Sequence, residues 1–192
     1  MVIKLKTLLT LIVLLFSSSV VAEDISDFQI EGMSLGDSAL DFFSEEEIKN
    51  NLKNYYNDKT YSVAEIEFLP SFKVYDAIQI HFKTLDRNYV IHSISGFIDY
   101  PNNIHECYDK KNEIYDEIAF LFQNMQNDEY ESPHEADKSG KSLVSVSRFF
   151  NDEVAIRVIC TDWTKEIGYL DTLRVTIDRI ELLKWINDKA YK

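Results

Sequence analysis

Two cysteines, Cys107 and Cys160, are the residues of this sequence with the clearest chemical role. Cys107 shares an apolar spacing of helical period with Ile118, whereas Cys160 shares a strand-like alternation with Ile156. Both patterns turn the cysteine toward a protein interior, so we predict one disulfide between a helix and a sheet. The alternative is a pair of separate buried thiols. The sequence contains no Cys-x-x-Cys pair, and this disfavours a thiol redox enzyme.

Histidines are the next candidates for chemistry, and there are four of them: His81, His92, His105 and His134. His81 and His92 fall on two strands that we expect to pair. A symmetric turn of even length would place them opposite each other, as a metal site requires. A register that pairs Ile94 with Ile80 or with Ile78 instead sends them to opposite faces. The second arrangement matches apolar residues, so a histidine metal pair is disfavoured.

Two stretches begin or end like catalytic motifs but lack a required residue. His105-Glu106 begins like the zinc-protease motif, but Asp109 stands where the second histidine is needed. Residues 137–142 end like a phosphate-binding loop, but Glu135 stands at the position of its first glycine. The sequence also lacks a Gly-x-Ser-x-Gly nucleophile elbow. We therefore assign no catalytic residue and no cofactor.

Acidic residues crowd the polar stretch 126–141, which follows a predicted helix. They are Asp128, Glu129, Glu131, Glu135 and Asp137. A helix C-terminus favours cations over anions, so a bound divalent cation would relieve the repulsion there. The stretch lacks the Asp-x-Asp-x-Asp-Gly pattern of a calcium loop. We therefore interpret it as a solvated surface loop in preference to a metal site.

Helices and strands that position these residues follow from apolar spacing and from capping signals. A capping box at Ser44 and Glu47 starts a short helix, apolar spacing predicts a helix over 104–125, and a cap near residues 178–181 starts a C-terminal one. Strands are predicted over 61–69, 73–84, 89–99, 142–150, 153–162 and around 173–177. This order predicts an α+β domain, with an antiparallel sheet, helices packed on one face, and a helix-plus-three-strand pseudo-repeat as a hypothesis.

This layout resembles that of two groups of exported proteins, the secreted β-lactamase inhibitor proteins and small outer-membrane assembly factors. Both set helices against an antiparallel sheet. The resemblance covers topology only, and a shared topology does not carry function.

The first 22 residues have the three-part layout of a secretory signal peptide. Two lysines precede the apolar stretch 8–16, and Val20 and Ala22 occupy the positions that a signal peptidase inspects. Cleavage after Ala22 would leave one exported α+β domain, residues 23–192. The domain would be periplasmic in a Gram-negative bacterium and otherwise secreted. The apolar stretch is shorter than the about 20 residues of a membrane span, so we expect no stable membrane insertion after cleavage.

The acidic composition bears on the partners of the chain. Its formal net charge is −13, which disfavours nucleic acid because a phosphate backbone would be repelled. We expect a non-enzymatic exported protein that binds a protein or another component of the cell envelope. The alternative is an enzyme of the hydrolase class, whose site is assembled from side chains far apart in the sequence.

Overall fold

The structure is a computed structural model and describes residues 25–101 and 103–192. The predicted signal peptide, residues 1–22, lies outside the described residues. The helices are α1 (Glu45–Asn50), α2 (Ile104–Leu121) and α3 (Ile180–Asp188). The strands are β1 (Leu52–Lys53), β2 (Tyr61–Glu67), β3 (Ala77–Lys83), β4 (Ser93–Tyr100), β5 (Gln126–Pro133), β6 (Leu143–Phe150), β7 (Val154–Asp162) and β8 (Asp171–Arg179). Within these ranges no helix is both long and apolar enough to cross a bilayer.

All eight strands form one antiparallel sheet in the order β1-β2-β3-β4-β8-β7-β6-β5. Strands β1–β4 form one meander and β5–β8 a second, and the two meanders meet where β4 pairs with β8. The α+β class and the antiparallel sheet are therefore confirmed. Each meander has four strands where three were predicted, and the pseudo-repeat is not confirmed.

The sheet has two chemically different faces because side chains alternate along each strand. One face, here called the core face, carries buried apolar residues such as Ile94, Ile156 and Ile177. Helix α2 lies on this face and contacts mainly β7. The opposite face, here called the open face, carries α3 at one end, where Trp185 packs on Tyr61 with ring centroids 5.0 Å apart. Packing of all helices on one face is therefore not confirmed.

A disulfide fastens α2 to the core face. Cys107 and Cys160 are fully buried and bonded, and their Cα atoms are 6.0 Å apart. Both sequence patterns therefore lead to the same interior, and the predicted bridge is confirmed.

The loop predicted over residues 126–141 is wrong in its first half, where the structure has the edge strand β5. Its side chains are polar on both faces, and this hides the alternation by which strands are recognised. The second half is a turn organised by Asp137, whose carboxylate accepts hydrogen bonds from the backbone N–H groups of Ser139 and Ser142 and from the Ser142 hydroxyl. These bonds hold the pKa of Asp137 far below its ordinary value.

Candidate functional site

Two adjoining pockets lie on the open face. The first, of about 360 Å³, lies beside α3, and we call it the inner pocket. The second, of about 400 Å³, lies farther from α3, and we call it the outer pocket. Both are lined by Tyr130, Arg157 and Arg174, so together they form one cleft across the sheet.

Strand β8 supplies the centre of the cleft. Its core-face residues Val175 and Ile177 alternate with Arg174, Thr176 and Asp178, which point to the open face. Because β8 is the fourth strand from one edge of the sheet and the fifth from the other, its open-face side chains have neighbours on both sides. A polar residue in such a position needs partners from adjacent strands.

Arg157 on β7 and Asp178 on β8 form a buried ion pair at the floor of the inner pocket. The guanidinium donates from Nη2 to Oδ2 of Asp178 at 2.7 Å, and the Ser93 hydroxyl donates to Oδ1 at 2.7 Å. Burial opposes ionisation of this carboxylate, but Arg157, Ser93 and Arg174 together hold the pKa of Asp178 below its ordinary value. The charge of Arg157 is thus balanced within the protein.

Arg148 on β6 is balanced in the same way. Its Nε donates to Oδ1 of Asp128 at 3.0 Å, and its Nη2 donates to Oδ2 at 2.5 Å. This fork-to-fork pair ties the edge strand β5 to β6 at the rim of the inner pocket.

Arg174 differs from the other two arginines because it has no counter-charge of its own. Across the described part of the chain no side chain accepts a hydrogen bond from it, and its buried Nε is unpaired. Its nearest ring is Phe97, whose centroid lies 5.9 Å from Cζ. Burial, with the nearby charge of Arg157, lowers the pKa of Arg174 to about 10, so it stays protonated at neutral pH. The cleft therefore holds a cation whose guanidinium forms no hydrogen bond with a carboxylate of the described residues.

Register explains why Arg174 lacks a partner. Residues paired across adjacent strands form a row, and the row through Arg174 runs from Tyr130 through Val146 and Ile159 to Arg174 and then Phe97. Arg174 therefore has an apolar neighbour on each side, Ile159 and Phe97. The next row of open-face residues toward α3 contains Arg148 and Arg157 instead, and each of these arginines has a carboxylate partner.

His81 lines the inner pocket as a neutral group. Its side chain is buried, and its Nε2 lies 2.9 Å from the Tyr56 hydroxyl. Burial lowers the pKa of His81 to about 4. The hydroxyls of Ser93 and Ser95 bond to Asp178 and Thr176, and neither bonds to His81. Neither serine is therefore hydrogen-bonded to His81 as the nucleophile of a Ser-His hydrolase would be.

The histidines that the sequence singled out are dispersed. Ile94 pairs with Ile80, which is one of the two registers expected to separate His81 from His92. His92 instead lies 2.9 Å from Glu181 of α3, measured from Nδ1 to Oε1. His105 is exposed on the first turn of α2, and His134 lies against Trp163 at the rim of the outer pocket.

The five acids considered for a cation site are also divided between different surroundings. Asp128 faces Arg148, whereas Glu129 points to the core face and contacts Lys111 and Ser147. Glu131 follows Glu129 on the same face, Glu135 lines the outer pocket, and Asp137 is buried in its turn. Where the chain is described, no three His, Cys, Asp or Glu side chains are grouped so that they could hold a metal ion.

Sequence reasoning missed the cleft. The available signal was the presence of arginines within otherwise apolar strands, at Arg157 and Arg174. Such residues ordinarily face solvent, and only the register shows that one of them lacks a partner. The chain matches no protein-family model, no curated protein and no solved structure, so its function has to be argued from this geometry.

Proposed function

We propose that this protein is an exported, non-enzymatic binding protein whose partner is a protein or another component of the cell envelope, and that it binds an anionic group of that partner in the cleft. The observation that carries the proposal is the unpaired Arg174 on the floor of both pockets. A carboxylate or phosphate oxygen placed there would complete the hydrogen bonding of the guanidinium.

The two neighbouring arginines support a site for a single charge. Arg148 and Arg157 already have carboxylate partners, so one positive charge remains to be matched. The overall charge of −13 repels anions at long range, and a ligand therefore has to be recognised by close contacts in the cleft. Such a site suits one acidic group rather than the repeated phosphates of a nucleic acid.

A hydrolase remains the second candidate because the inner pocket gathers His81 and Asp178. Their chemistry favours binding instead. Asp178 is committed to Arg157 and Ser93, and a histidine with a pKa of about 4 is a poor general base at neutral pH.

The test measures thermal stabilisation of the protein by acetate and by inorganic phosphate, against sodium chloride of equal ionic strength. A ligand that binds only the folded state raises the melting temperature. We expect at least one of the two anions to raise it in the wild type, and we expect no rise in the Arg174→Gln variant.

The matched control is Arg87→Gln, which removes an exposed arginine far from the cleft and should keep the response. Arg174→Lys, which retains the charge, should keep part of it. Equal responses of Arg174→Gln and Arg87→Gln, or no response of the wild type to either anion, would overturn the proposal.

A further inference from the structure

Resting on the proposed anion site, we infer that the ligand is an organic carboxylic acid with an apolar body, whose carboxylate binds Arg174 and whose body lies in the outer pocket. The proposal adds the chemical class of the ligand and its orientation. Three observations support it: the residues that line the outer pocket, the absence of α3 residues from that lining, and the positions of the charged residues along the cleft.

Apolar and aromatic side chains form part of the lining of the outer pocket, beside polar ones such as Ser132 and Thr172. Val144, Phe97 and Trp163 are half-buried and present apolar surface to the pocket, and beneath them lie Val146 and Ile159, which are 2% and 8% exposed. The same strands already turn Val158 and its neighbours to the core face. A sheet with one solvated face ordinarily has polar residues on that face, so apolar residues on both faces of β6 and β7 indicate a second covered surface.

Helix α3 covers only the inner pocket. Leu183 and Ile186 of α3 line that pocket, whereas no residue of α3 lines the outer one. The described residues around the outer pocket are strand residues together with His134, Glu135 and Trp163 from the loops at its rim. A ligand entering from solvent therefore meets the half-buried side chains of Val144, Phe97 and Trp163, and no described helix residue lines the pocket over them.

Charge along the cleft sets the direction of the ligand. Arg157 and Arg174 stand where the two pockets meet, and Glu135 lines the outer pocket only. The carboxylate of the ligand is attracted to the two arginines and repelled by Glu135. Because Arg157 is paired with Asp178, the head that fits best is a monoanion. A carboxylate with its chain running toward Trp163 meets all of these conditions.

The primary test is a series of linear carboxylates, from acetate through butanoate and hexanoate to octanoate, titrated calorimetrically into the protein. Each methylene buried in the outer pocket should lower the dissociation constant by about fourfold, until the pocket is filled. Octylamine and octanol carry the same body without the anionic head, and we expect both to bind more weakly than octanoate by at least tenfold.

Two variants and one control distinguish binding of the carboxylate from binding of the apolar body. Val144→Thr keeps the shape of the pocket lining but adds a hydroxyl, and it should weaken octanoate while leaving acetate unchanged. Val74→Thr makes the same replacement at an exposed position and should change neither. Arg174→Gln should weaken every acid in the series and leave octanol unaffected.

The outcomes distinguish the two proposals. If acetate and octanoate bind equally and both depend on Arg174, the apolar body has no site and this inference fails, whereas the anion site stands. If octanoate binds Arg174→Gln as well as it binds the wild type, both proposals fail. Affinity that rises with chain length and depends on both Arg174 and Val144 supports both proposals.

Discussion

At the scale of single residues, the open face carries buried polar groups whose charges are set by their neighbours. Asp178 remains ionised because Arg157 and Ser93 bond to it. His81 is neutral because it has a neutral hydroxyl partner, Tyr56, and is removed from water. Arg174 stays protonated, and among the described side chains none accepts a hydrogen bond from it. These states could not be predicted from the sequence, since each depends on which residues the register brings together.

Burial of His81 predicts a loss of stability in mild acid. The unfolded chain binds a proton on this imidazole near the ordinary pKa of 6.5, whereas the folded protein does so only near pH 4. Between these values the unfolded state binds more protons, so the free energy of unfolding falls as the pH falls. We expect His81 to account for a loss of about 3 kcal/mol across this window, measured by urea denaturation at several pH values.

The comparison that isolates this effect uses His81→Gln and His105→Gln. The first removes the buried imidazole and should reduce the fall in unfolding free energy between pH 6.5 and 4, while the contributions of His92 and His134, whose pKa values burial also lowers, remain. The second removes an exposed one and should leave that dependence as in the wild type. Identical pH profiles for His81→Gln and the wild type would show that His81 is not held neutral.

At the scale of elements, apolar periodicity predicted most of the sheet, while the polar strand β5 escaped it. The six predicted strands correspond to β2, β3, β4, β6, β7 and β8, all of which carry buried apolar residues. Strand β5 instead pairs through Asp128 on one face and Glu129 on the other. Its partners Arg148 and Lys111 are distant in the sequence, and no local sequence pattern indicates these contacts.

The disulfide between α2 and β7 predicts a large effect on stability. A bridge between residues 53 apart restricts the unfolded chain by about 4 kcal/mol on the chain-entropy model. Cys107→Ala, Cys160→Ala and the double variant should therefore lower the free energy of unfolding by similar amounts, because each removes the same bond. Guanidinium denaturation of the three variants measures this.

Alkylation of the wild type provides an independent check on the bridge. Unreduced wild-type protein unfolded in guanidinium should take up no alkylating reagent, and each single variant under the same conditions should take up one equivalent. Two alkylated thiols in unreduced wild-type protein would contradict the bond.

At the scale of the whole molecule, the proposed function depends on export. The helices, the disulfide and the cleft all lie within the described residues, and this is the part that would remain after cleavage at Ala22. A disulfide that is structural rather than catalytic fits an oxidising compartment.

The α+β class was predicted from the order of elements, whereas the position of α3 on the open face was not. Apolar periodicity shows that a helix has an apolar side, but it does not show which surface covers that side.

Export makes a direct prediction about the N-terminus. When the gene is expressed in a secreting host, protein recovered outside the cytoplasm should begin at Glu23 or within a residue or two of it, as read by intact-mass spectrometry. A variant with Leu8 and Leu11 replaced by Arg breaks the apolar stretch and should accumulate uncleaved in the cytoplasm. Recovery of the wild type mainly with Met1 intact would contradict the signal peptide.

Strand β8 is the last strand in the chain but occupies the middle of the sheet, between β4 and β7. During synthesis, both of these strands therefore have one unpaired edge until residues 171–179 emerge. Unpaired inner edges are prone to join other chains, so the nascent protein passes through a stage of high aggregation risk that ends only with its final segment. A chain that stops short of β8 would lose the contact between its two meanders, and a chaperone that holds unfolded chains would protect it most at this stage.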